Sequence, residues 1–99
     1  MNLPLIIDPA CEIDIEIAYL WYGSRVDGHA DRFMAAIDKA LNRIQDYPLA
    51  YPVVIENVRR AITSVFPYCI YFVIEPDEIV IIACLHQSES PDVLLRRIG

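Results

Sequence analysis

Apolar and polar positions alternate across residues 58–86, VRRAITSVFPYCIYFVIEPDEIVIIACLH, and the alternation predicts three consecutive antiparallel strands. The first runs from Val58 to about Thr63. The second is Tyr68–Glu75, with Tyr68, Ile70, Phe72 and Ile74 on one face and Cys69, Tyr71, Val73 and Glu75 on the other. The third is Glu78–His86, with Ile79, Ile81, Ala83 and Leu85 expected to share one face and Val80, Ile82, Cys84 and His86 the other. β-Branched and aromatic residues suit such a pleated surface. Pro67 cannot donate to a ladder, so the first turn is expected at Ser64–Pro67, and Pro76-Asp77 makes the second. The last strand is apolar on both faces, which marks a central strand covered on both sides.

Upstream the period changes. Asn2–Ile7 reads as a short apolar strand able to join the sheet. Asp8 is placed to cap a helix that Pro9 begins. Ile13, Ile17, Leu20 and Trp21 recur at helical spacing and are expected to form its buried stripe, with Glu12 and Glu16 on another face. Gly23-Ser24 ends this helix, and Val26–Ala30 connects it to a second helix from about Ala30 to Asp46. There Phe33, Ile37, Ala40, Leu41 and Ile44 form one stripe, opposite Asp31, Asp38, Lys39, Asn42 and Arg43, until Pro48 stops it. The short connector predicts an antiparallel helical hairpin. Leu49–Asn57 is a link with an extended stretch at Val53–Ile55, and Pro91–Ile98 reads as a terminal helix. The order β-αα-βββ-α predicts one α+β domain over residues 1–99, with the hairpin packed on one face of a small, mainly antiparallel sheet.

Composition adds a surplus of apolar surface. At 99 residues the chain makes one small domain, yet 56% of it is hydrophobic, above the usual ~45–50%. Part of that surface is expected to face a partner, or a second copy when the protein is free. A net charge of −6 argues against direct nucleic-acid binding, and so against reading Tyr68, Tyr71 and Phe72 as a base-stacking platform. Arg59-Arg60 and Arg96-Arg97 still allow local basic patches. Cys11, Cys69 and Cys84 are odd in number and widely spaced, which predicts buried thiols in a reducing cytoplasm rather than disulfides or a zinc site. No metal motif, cofactor, signal peptide or membrane span is expected, and the longest apolar run, Ile79–Leu85, is strand-length.

Chemistry-bearing residues are few. Arg59 and Arg60 point to opposite faces of their strand, so one is expected to pair with a carboxylate of the hairpin and the other to face a groove. His86 is a candidate acid or base, weighed against simple strand capping. No Lys or Arg lies beside it to stabilise a charged transition state. His86 with Ser88 lacks a third partner and a glycine-rich oxyanion loop, and Cys84 nearby reads as a core thiol.

One ordered set of pieces carries more. Glu12, Ala18 and Trp21-Tyr22 are followed by Arg32-Phe33, Ala36-Ile37, Ala40-Leu41, Arg43-Ile44, Pro48 and Tyr51-Pro52. Then come Val58-Arg59-Arg60, Phe66-Pro67-Tyr68, Ile70-Tyr71-Phe72, a last strand ending at His86, Pro91 and Arg97. Over nearly its whole length the chain resembles the ParE branch of the RelE/ParE toxins of bacterial toxin–antitoxin pairs. The resemblance implies a cytoplasmic toxin neutralised by a small ParD-like antitoxin and associated with inhibition of DNA gyrase rather than catalysis. The RelE branch, which cuts messenger RNA on the ribosome, and a non-toxic, binding-only homologue are the alternatives. Arg59, Arg60, Tyr68, Tyr71, His86, Glu89 and Arg97 are the expected contacts with target or antitoxin. The family usually carries an Arg three residues after the His; here that position is Glu89.

Overall fold

A computed structural model describes residues 3–98. Its elements are β1 (Leu5–Ile7), α1 (Pro9–Gly23), α2 (His29–Asp46), β2 (Val53–Ile55), β3 (Val58–Ile62), β4 (Tyr68–Ile74), β5 (Ile79–His86) and α3 (Pro91–Ile98). The strands form one sheet ordered β1-β5-β4-β3-β2, antiparallel except where β1 runs parallel to β5. The expected extended stretch at Val53–Ile55 is a fourth antiparallel strand, paired with β3. Asn2, expected at the start of β1, lies outside the described residues.

The local signals are physical ones. The Asp8 carboxylate accepts from the Ala10 N–H at 2.9 Å, and Pro9 follows at the first helical position. Gly28, at φ 81°, turns the chain into α2 in a conformation that a side chain resists. Phe33, Ile37 and Ile44 of α2 are buried against the sheet, with Ala40 and Leu41 half-buried beside them. Tyr22, Phe33, Phe66 and Tyr68 then interlock, with ring centroids 4.9 Å apart for Tyr22–Phe66 and 5.2 Å for Phe33–Tyr68. Such edge-to-face pairs add about 0.5–1.5 kcal/mol each beyond area burial and fix the hairpin to the β3–β4 end of the sheet.

Two expectations are overturned. The stripe expected to be the buried face of α1 is exposed: Ile13 at 57%, Ile17 at 63%, Leu20 at 60% and Trp21 at 51%. The face that packs is instead Cys11, Ile15, Ala18 and Tyr22. Small side chains at positions 11 and 18 allow α1 to lie close against α2 and β5, which the bulkier stripe would prevent.

The second correction lies in β5. Tyr71 pairs with Ala83 but Phe72 pairs with Ile81, so Ile82 is an extra residue, a β-bulge. The bulge shifts the alternation by one position. Ile79 and Ile81 face the helices as expected, but beyond the bulge Cys84 and His86 take that face, opposite Ile70 and Tyr68. Ala83 and Leu85 pass to the outer face with Tyr71 and Cys69. One uniform phase cannot describe a strand that changes phase in its middle.

Candidate functional site

β1 covers β5 only as far as Ile81, where the Asp8 N–H donates to the Ile81 carbonyl at 2.9 Å. Beyond the bulge the edge of β5 would present bare backbone groups. Asp14 and Arg97 cover them. The Cys84 N–H donates to Asp14 Oδ2 at 3.0 Å, and Arg97 Nη1 donates to the Ile82 carbonyl at 3.1 Å. Arg97 also grips both oxygens of Asp14 at 2.7 Å. The bonds with Asp14 push the Arg97 guanidinium above its ordinary value. Nothing near Asp14 in sequence announced this partner.

Two shallow grooves flank the end of β5, and His86 lines both. The outer groove, about 400 Å³, is lined by Val54, Ile55, Arg60, Tyr71, Leu85, Glu89, Leu94 and Leu95. The helix-side groove, about 430 Å³, is lined by Ile17, Ala18, Trp21, Tyr22, Pro67 and Tyr68. Between them, Asp14, Tyr68, Cys84, Glu89 and Arg97 line a third depression.

The residues singled out in the sequence divide accordingly. Arg60 and Tyr71 are cross-strand partners in the outer groove. Burial pushes the Tyr71 hydroxyl up, with Cys69 adding to the shift and Arg60 opposing it. Tyr68 lies on the helix side, its ring 5.3 Å from that of His86. Burial, then Tyr22, Cys84 and Glu89, raise its hydroxyl from an ordinary 10.0 to about 12. Arg59 does point opposite Arg60, but it is not paired with a hairpin carboxylate: its Nη1 donates to the Tyr51 carbonyl at 2.6 Å, tying down the link before β2. His86 Nδ1 accepts from the Ser88 N–H at 3.0 Å and contacts Ser88 Oγ at 2.7 Å, so the neutral ring carries its proton on Nε2. Glu89 closes the same turn, its N–H donating to the His86 carbonyl at 2.9 Å.

Among the described residues Arg60 is the one Lys or Arg lining the outer groove, and Glu89 lines it too. Cys11, Cys69 and Cys84 are all buried and free. Among the described residues no cluster of His, Cys, Asp and Glu has the makings of a metal site, and no helix is long and apolar enough to cross a membrane. Sequence reasoning missed Asp14 and the exposure of the α1 stripe. Asp14 carried a signal: it is a carboxylate one turn from Cys11 and Ala18 among the small residues of α1.

A family model described as the ParE toxin of the type II toxin–antitoxin system, parDE, matches residues 5–91. No curated protein matches in sequence. Among solved structures the chain is similar to one titled as the chromosomal ParDE TA system from P. aeruginosa, with a TM-score of 0.76 and 17% identity over 86% of this chain and 96% of that one. At that identity the likeness speaks for the fold.

Proposed function

Since the chain belongs to the ParE toxin family of the parDE type II toxin–antitoxin systems, we propose that it acts by binding rather than catalysis, held silent by a ParD-like antitoxin and directed against DNA gyrase in the cytoplasm. The family match over residues 5–91, from β1 to the start of α3, carries this reading. The outer groove is assigned to the target, with Arg60, Tyr71, His86 and Glu89 as its contacts. Tyr68 belongs to the helix-side groove. Arg59 and Arg97 hold the scaffold behind both, since their guanidinium groups are engaged inside the protein.

The groove chemistry favours an inhibitor over a nuclease. Cleaving RNA without a metal requires cations around the scissile phosphate. The outer groove offers one cation, Arg60, and one carboxylate, Glu89, and the Nδ1 of His86 is already engaged by Ser88. A protein target is bound instead by apolar contact and a few polar anchors, which Leu85, Leu94, Leu95 and Tyr71 supply.

The test is induction of the chain without its antitoxin, read by DNA supercoiling with purified gyrase and by primer extension on translated messages. Inhibited supercoiling with intact messages is the expected result. Codon-linked cleavage that disappears in His86→Ala would replace this reading with the RelE-type nuclease.

A further inference from the structure

The trough between α2 and β3 differs from the other grooves in charge. It holds about 230 Å³ and is lined by Lys39, Arg43, Tyr51, Ile62 and Ser64, with alanines of both elements leaving the room. No Asp or Glu lines it, whereas the outer groove contains Glu89 with Arg60, and the depression at Arg97 contains Asp14 and Glu89. Among the described residues neither Lys39 nor Arg43 meets a carboxylate at salt-bridge distance. Like charges one turn apart on a helix oppose each other, so the pair lacks a counter-charge that a ligand could supply.

A second observation lies at the end of the same trough. Val65 follows Ser64 and is the most exposed large apolar residue among those described. Its φ of 74° is a conformation that a β-branched residue resists. The fold therefore displays an apolar side chain at a strained tip from which it draws no packing, and such strain gathers at binding sites. Ile62 is exposed as well. It lies two residues beyond Arg60, on the same outer face of β3, so the patch continues the surface already assigned to the target. β2 pairs with β3 only at Val58 and Arg59, and beyond Arg60 this edge carries no strand among the described residues.

Size and charge identify the occupant. The trough falls below the roughly 300–1,000 Å³ of pockets that enclose a small ligand, and suits one or two side chains. Twelve residues line the outer groove, about half of the roughly 20–30 that one side of a stable protein interface needs. A second copy meeting this patch about a two-fold axis would bring its own Lys39 and Arg43 against it.

Building on the gyrase reading above, we propose that the target's footprint extends from the outer groove over Ile62 to this trough. A target surface carrying carboxylates beside an apolar socket fits it: Lys39 and Arg43 take the carboxylates, and Val65 fills the socket.

The test is inhibition of supercoiling by purified gyrase, titrated with the natural protein, Val65→Gly, Lys39→Glu/Arg43→Glu, Arg60→Glu and Arg96→Glu, each first checked by urea denaturation. Val65→Gly is expected to inhibit about tenfold less well although it unfolds at a higher urea concentration, a combination that a merely structural role cannot give. The double reversal is expected to weaken inhibition about tenfold at low salt and to flatten its salt dependence. Arg96 is exposed on α3, away from the patch, and Arg96→Glu is expected to inhibit as the natural protein does. Full inhibition by Val65→Gly and by the double reversal, with loss in Arg60→Glu, would confine the target to the outer groove, overturning this site while the gyrase reading stands. Intact inhibition together with lost binding of the adjacent reading frame's product, or with a free dimer that Val65→Gly dissociates, would give the patch to the antitoxin or to a second copy and overturn the proposal. A natural protein without effect on gyrase would overturn the gyrase reading, and this contact with it.

Discussion

Arg97 holds Asp14 through two parallel N–H···O bonds of 2.7 Å across 83 residues of sequence. The same carboxylate accepts from the Cys84 N–H, so one side chain of α1 anchors both α3 and the edge of β5. Removing Arg97 leaves a mostly buried carboxylate without its counter-charge. Arg97→Met is expected to lower stability by about 2–3 kcal/mol. Asp14→Asn, which can still accept from Cys84, is expected to lose about 1–2 kcal/mol. Urea denaturation measures both; losses below about 0.5 kcal/mol would show that the clamp contributes little.

Val65 is 94% exposed and held at φ 74°, where the Phe66 N–H closes a tight turn onto the Ser64 carbonyl at 2.8 Å. A β-branched residue is strained there, and nothing packs on it in return. Val65→Gly removes roughly 1–2 kcal/mol of strain and restores some freedom to the unfolded chain. The expected net gain is about 0.5–1 kcal/mol, seen as a higher urea midpoint with unchanged slope.

Burial raises the Cys11 thiol from an ordinary 9.0 to about 12, with Asp14 adding to the shift, and it raises Cys84 as well. A raised folded value means that the stabilising contribution is complete below pH 9 and is lost as pH climbs towards the folded value. Between pH 9 and 12 each such thiol should remove about 1.4 kcal/mol per pH unit, because only the unfolded chain has released the proton. The Tyr68 hydroxyl acts in the same direction above pH 10. Denaturation curves at pH 8, 9.5 and 10.5 test the trend. A thiol reagent at pH 8 should label Cys11 and Cys84 only at the rate of unfolding.

Glu89 stands at the mouth shared by the outer groove and the depression beside Arg97. With Asp92 it makes the loop acidic, which opposes encounter with an acidic or phosphate-bearing target. Glu89→Arg reverses that charge at an exposed position and should change stability by about 0.5 kcal/mol or less. Stronger growth arrest is expected from the variant than from the natural chain, at matched protein levels and without antitoxin. Equal arrest by the two would remove any role for this position.

How much the sequence reveals depends on whether an element has one apolar face or two. Helix α2 has one, and Phe33, Ile37 and Ile44 are buried as their spacing requires. The Asp8 cap and Pro9 are local signals and act locally. Helix α1 has two candidate faces. The bulkier one, through Ile17 and Trp21, outweighs the smaller Cys11 and Ala18 by hydropathy, yet close packing selects the small residues. Asp14 disguised the true face further, because its partner Arg97 is remote in sequence. In β5 the unbroken run from Ile79 to Leu85 gave no polar position at which the change of phase at Ile82 would show. The two grooves were hidden for the same reason, since the bulge decides that His86 joins Tyr68 and that Leu85 joins Tyr71.

The parallel pairing of β1 with β5 also sets a clock. Leu5 pairs with Ile79, and a ribosome adding about 5–20 residues per second needs roughly 4–15 s to make the second after the first. Throughout that interval the sheet cannot close, and the inner faces of α1 and α2 wait uncovered. The grooves around His86 exist only once β5 is made and the sheet has closed on the helices.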